Sequence, residues 1–166
     1  MDYTELKSWS YYSFLRGASP PAELIRTAVR LGLRGIALTD VGGVYGLPKA
    51  YQAWREAGVP DFRLISGSEI LLKDQPGLSV SLLAPNRLAY GAMCRLLTRS
   101  HAGEAKGTGA LTLEQLVAGL QELPGGSELL LFPEWQERFL NERNPDHLLA
   151  DQGAKLEAEL SLDSKK

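Results

Sequence analysis

Apolar and polar positions along this chain fall into short blocks that alternate between strand-like and helix-like spacing. Tyr3 to Ser8 alternates with the two-residue period of a short strand. Ser19 followed by Pro20-Pro21 offers an N-cap with prolines in the first helical turn. Leu24, Ile25, Ala28 and Val29 then form an apolar helical stripe that ends at Gly32. Arg34 to Thr39 reads as a buried strand running into Asp40, and Gly42-Gly43 breaks the chain before a helix over Leu47 to Ala57. Gly58-Val59-Pro60 stops that helix. Phe62 to Leu72 and Leu78 to Leu83 are predicted strands, and the turn chemistry of Lys73-Asp74-Gln75-Pro76-Gly77 joins them as a hairpin. Asn86 caps a helix reaching about Ser100, Ala102 to Ala110 reads as a mobile loop, and Thr112 with Gln115 makes a capping box for a helix over Leu113 to Leu120. Glu128 to Phe132 is a fifth strand, followed by an acidic, mainly helical segment that frays from Ser161 to Lys166.

Strand and helix thus alternate, which predicts the α/β class with a mostly parallel sheet and one hairpin. At 166 residues, 44% hydrophobic and 23% charged, the chain has the size and composition of one globular domain. A chain of this size buries roughly two-thirds of its unfolded surface. No apolar run approaches the roughly 20 residues of a membrane span. The first residues lack a basic stretch followed by an apolar one, so a cytoplasmic location is expected and no membrane contact. The single Cys94 lies among Met93, Leu96 and Leu97, where helix core is expected rather than a reactive thiol.

Net charge is −2, which argues against a nucleic-acid coat, but its distribution is uneven. Residues 1–102 carry 12 Lys/Arg against 8 Asp/Glu, whereas residues 103–166 carry 6 against 12. The first part is therefore a basic half, and the second an acidic continuation of the same domain. Arg87, Arg95 and Arg99 share one broad face of the predicted helix, where a phosphate backbone would meet them; a solvated face is the plainer reading.

The run Tyr3 to Ser10 followed by Tyr12-Ser13-Phe14-Leu15-Arg16-Gly17-Ala18-Ser19 resembles the opening of the PHP (polymerase and histidinol phosphatase) domain of bacterial replicative polymerase alpha subunits, the error-prone branch above all. Ala37-Leu38-Thr39-Asp40, Ile65-Ser66-Gly67-Ser68-Glu69 and Leu83-Ala84-Pro85-Asn86-Arg87, running on to Tyr90-Gly91 and Leu96-Leu97-Thr98-Arg99, agree in order and spacing. The resemblance covers about the first hundred residues and weakens beyond Thr112. It implies a distorted (β/α)7 barrel with a metal site at the carboxyl ends of its strands. Five predicted strands against the family's seven make the barrel incomplete.

Mapped onto this chain, the family's first pair of metal-binding histidines falls on Lys7 and Trp9, and its Thr-Asp-His on Thr39, Asp40 and Val41. Its glutamate is kept as Glu69. A protonated lysine has no lone pair and an indole N–H only donates, so neither replaces imidazole. Positions two apart on a strand point to one side, so Lys7 and Trp9 are expected to face the same crevice. There the Lys7 ammonium would neutralise Asp40 or Glu69 and the Trp9 ring would fill the vacated volume. His101 and His147, the only histidines, are expected to be structural or solvated. The expectation is a vestigial metal site at Lys7, Trp9, Asp40, Val41 and Glu69, with no catalytic residue, no metal and no cofactor. Such a module would brace or dock onto the rest of an error-prone polymerase or its accessory proteins, with weak DNA contact. A metal-dependent phosphoesterase with residual activity and a truncated gene remnant are the alternatives.

Overall fold

These blocks take shape in a computed structural model that describes residues 2–104 and 109–135. Its elements, in chain order, are β1 (Thr4–Glu5), α1 (Pro21–Arg30), β2 (Gly35–Leu38), α2 (Leu47–Ala57), β3 (Arg63–Leu72), β4 (Leu78–Ala84), α3 (Arg87–His101), β5 (Ala110–Leu111), α4 (Leu113–Glu122) and β6 (Leu130–Trp135). Local signals account for most boundaries. Asn86 accepts from the backbone of Leu88 and Ala89 at the start of α3, and Thr112 and Gln115 form the expected reciprocal capping box on α4. At α1 the N-cap is Pro20 rather than Ser19 and no side chain caps the helix. The expected first strand shortens to Thr4–Glu5, although Thr39 N still donates to Ser8 O (2.8 Å), so the following residues stay alongside the end of β2.

The sheet runs in the order β1-β2-β3-β4-β6, with β5 paired to β3. It is mixed rather than mostly parallel, which corrects the reading from sequence. The pairs β1–β2, β2–β3 and β3–β5 are parallel, but the two longest pairings, β3–β4 and β4–β6, are antiparallel over six register positions each. The hairpin reverses β4, and β6 then adds to its free side antiparallel again. Gly77 closes the hairpin turn at φ 89°, a conformation that costs a residue with a Cβ. β5 falls at the end of the stretch expected to be a loop. The acidic helix, the frayed tail and His147 lie outside the described residues.

Side-chain alternation divides the sheet into an apolar and a polar face. Ile70 and Leu72 of β3 and Val80 and Leu82 of β4 pack with Ala92, Met93 and Leu96 of α3 and Leu116 of α4. A second apolar cluster joins Ile25 and Ala28 of α1, Ile36 and Leu38 of β2 and Ala50 of α2 around Phe62. Leu131 and Trp135 of β6 pack against the first cluster. Glu69, Ser81 and Glu134, one residue out of phase with these, therefore share the opposite face. Glu69 stands opposite Ser81 in the β3–β4 register.

Candidate functional site

Three chain segments meet at the carboxyl end of β2. Val41 bridges to Glu69, Glu69 N donates to Asp40 O (3.1 Å), and Gly42 N donates to Glu69 O (2.8 Å). Lys7 and Trp9 arrive from the segment after β1. The five positions singled out from sequence are thus brought together, and the two retained carboxylates are fully buried.

Those carboxylates have separate partners. Asp40 Oδ1 accepts from Ser10 N (2.7 Å) and Ser13 Oγ (2.7 Å), and its Oδ2 accepts from Ser10 Oγ (2.7 Å). A Cβ placed on Gly46, the residue before α2, would come within 2.6 Å of Asp40 Oδ2, so the carboxylate lies against the start of that helix. A helix N-terminus favours negative charge. Glu69 is held by charge: Oε1 accepts from Arg16 Nη1 (2.8 Å), Oε2 accepts from Trp9 Nε1 (2.9 Å), and Lys7 Nζ lies 3.5 Å from Oε2. Lys7 Nζ also pairs with Glu134 of β6, whose other oxygen accepts from Ser81 Oγ (2.8 Å).

The expected pairing of Lys7 is therefore found with Glu69, and Asp40 takes no part in it, because the hydroxyls and amide of the turn after Trp9 saturate it. The Trp9 ring is half-buried and joins this pairing. Its N–H donates to Glu69, and its face carries the Lys7 ammonium 4.6 Å and the Arg16 guanidinium 5.6 Å from the ring centroid. Burial pushes the Lys7 ammonium below the ordinary lysine range; the Glu69 charge and hydrogen bond oppose this, and nearby Arg16 reinforces it.

Arg16, Glu134, Ser10 and Ser13 are absent from the site read from sequence. Ser10 and Ser13 are three apart in one tight turn, with Ser13 N bonded to Ser10 O, so both hydroxyls face Asp40. Their spacing was the available signal. Arg87, Arg95 and Arg99 all lie on α3, exposed, on the sheet face opposite Glu69. Arg99 is paired with Glu122 of α4 at 3.3 Å. His101, at the exposed end of α3, sets Nε2 2.7 Å from Gly42 O. Cys94 is half-buried rather than core.

A match to the PHP domain family model over residues 5–127 shows the class: the chain belongs to the PHP domain family. Within it, this chain is similar to error-prone DNA polymerases. It is 46% identical to that of Alkalilimnicola ehrlichii over 70% of this chain and 11% of the relative, and 36% identical to that of Aromatoleum aromaticum over 98% of this chain and 16% of the relative. The chain thus spans only a small part of the length of the curated relatives it matches. Among solved structures, it is similar to a protein of Bifidobacterium adolescentis named as a candidate metal-dependent phosphoesterase (21% identical, TM-score 0.45, 73% of this chain and 44% of that one). No helix among the described residues is long and apolar enough to cross a membrane.

Proposed function

We propose that this chain is a catalytically inactive PHP module that serves an error-prone polymerase as a cytoplasmic structural or docking unit. The observation that carries the reading is the set of donors around Glu69. A hydrolytic PHP centre needs several anionic or imidazole ligands around two or three dications. Here the residues do not fit such a cluster: Lys7 and Trp9 offer no lone pair, Val41 is apolar, and Glu69 faces an ammonium and a guanidinium. Among the described residues no group of three His, Cys, Asp or Glu side chains is placed to hold a metal ion. Lys7, Trp9, Asp40, Val41 and Glu69 are vestiges of a metal site, with Lys7 and Arg16 supplying the positive charge that the carboxylate needs in a buried setting.

The module's role is then mechanical: it presents a folded surface to the remainder of a polymerase or to accessory proteins. Arg87 and Arg95 give α3 a face suited to weak contact with a phosphate backbone. The test is turnover. Incubated with manganese, the purified chain is expected to hydrolyse neither a chromogenic phosphate ester nor single-stranded DNA above the level of an Asp40→Ala variant purified in parallel. Hydrolysis that disappears in that variant would establish the phosphoesterase reading instead.

A further inference from the structure

The turn that saturates Asp40 also builds a surface that the metal corner does not use. Tyr11 and Tyr12 stand on it with ring centroids 4.7 Å apart, and Tyr12 meets Tyr45, from the segment before α2, at 6.4 Å. All three rings are solvent-exposed, Tyr45 by 60%. Lys49 of α2 lies over two of them: its Nζ is 5.6 Å from the centroids of both Tyr11 and Tyr12 and donates to the Tyr11 hydroxyl at 2.9 Å. No carboxylate of the described residues pairs with this ammonium. Phe14, two residues beyond Tyr12, is 84% exposed and adds a further open ring to the turn.

The turn is held by hydrogen bonds. Ser10 and Ser13 are bonded to buried Asp40, Arg16 N and Gly17 N both donate to Ser13 O (2.9 Å each), and Tyr12 N donates to Ser10 Oγ (3.2 Å). Leu15 stands at φ 64°, a left-handed conformation uncommon for a residue with a Cβ, with 87% of its surface in water. Exposed rings with a cation laid over them are the parts from which proteins build stacking sites for unpaired nucleobases, because every base offers a π face and every nucleotide a phosphate.

We propose that Tyr11, Tyr12, Tyr45 and Lys49 form a stacking platform for single-stranded nucleic acid. An apolar protein surface closing over this patch would strip water from the Lys49 ammonium and return nothing to it. A nucleic acid strand supplies phosphate to the ammonium and bases to the rings at once. The platform does not depend on the α3 arginines, which lie on another element.

The test is fluorescence anisotropy of labelled oligothymidylate and oligouridylate titrated with the full chain, circular dichroism confirming that each variant is folded. Saturable binding is expected, with the tighter of the two strands identifying the source. Tyr45→Ala is expected to weaken it about 5- to 150-fold, the range for loss of one stacking ring. Tyr45→Phe, which keeps the ring, is expected to bind within about twofold of the parent, as set by the same stacking argument. Lys49→Gln is expected to reduce the slope of log affinity against log salt by about 0.7. Arg87→Gln/Arg95→Gln is expected to retain the dependence on Tyr45. The proposal is overturned if neither strand binds, if folded Tyr45→Ala binds like the parent, or if binding follows the α3 arginines instead. Because the assay reads binding alone, its failure leaves the inactive-module reading standing, and hydrolysis by the parent would fail that reading without touching this one.

Discussion

Lys7 and Glu134 are ion-paired although they come from the two ends of the sheet: Lys7 follows β1, one edge strand, and Glu134 belongs to β6, the other. A flat sheet of five strands in sequence would hold its edges far apart, at about 4.8 Å per strand. The pair therefore requires the sheet to curl, with both edges brought to its polar face, where Glu69 of the central strand β3 meets the same ammonium. One lysine thereby ties the first, middle and last strands.

Lys7→Met is expected to destabilise the chain by about 1–3 kcal/mol. That lies between the cost of breaking a buried pair, about 3–5 kcal/mol, and that of an exposed one, about 1 at most, since Lys7 is partly exposed and Arg16 and Trp9 remain on Glu69. Lys7→Met/Glu134→Gln is expected to recover much of the loss, leaving the neutral Arg16–Glu69 pair intact. Lys7→Met/Asp40→Asn is expected to recover none, because Asp40 is held by other groups. Urea unfolding of the four proteins checks this, and a Lys7→Met chain as stable as the parent contradicts it.

Ser13 joins two segments: its hydroxyl donates to Asp40 Oδ1 and accepts from Val41 N at 3.1 Å. Ser13→Ala removes a charge-assisted bond and leaves a half-buried amide unpaired, an expected cost of about 2 kcal/mol. Ser13→Thr, which keeps the hydroxyl, is expected to cost less. Equal stability of parent and Ser13→Ala in thermal unfolding would show that the turn is not fixed by this bond.

Tyrosine ionisation reports on the aromatic turn. The Lys49 hydrogen bond, then that of Tyr12, holds the Tyr11 phenol below the usual tyrosine range, whereas a hydrogen bond to Glu5 raises Tyr3 and burial raises Tyr90. Tyr11 therefore loses its proton before Tyr3 and Tyr90 as pH rises, and its anion is favoured while Lys49 is still charged. Absorbance at the tyrosinate band is expected to lose an early component in Tyr11→Phe, and in Lys49→Gln that component moves to higher pH. An unchanged titration in both variants would contradict the contact.

Much of the fold is legible in the chain because its signals are local. The Lys73–Gly77 turn, the Asn86 cap and the Thr112/Gln115 box each act within a few residues of themselves. Strand–helix alternation reads as a parallel sheet, but the hairpin reverses β4, and one reversed strand makes both of its pairings, to β3 and to β6, antiparallel. β5 has two residues in a Gly-rich stretch and exists only through its pairing with β3. At the site, Asp40 and Glu69 stand out by resemblance. Glu134 does not, because its approach to Lys7 depends on the register of β6 and the curl of the whole sheet. Arg16 sits inside a block that resembles the family and carries no sign of its own of facing Glu69.

The central claim is that protein cations stand where a PHP centre would hold dications. Elemental analysis of the purified chain, after incubation with zinc, manganese and iron and removal of excess metal, addresses it most directly. Far less than one equivalent of each metal is expected, unchanged in Asp40→Ala/Glu69→Ala. One equivalent or more, lost in that double variant, would contradict the account.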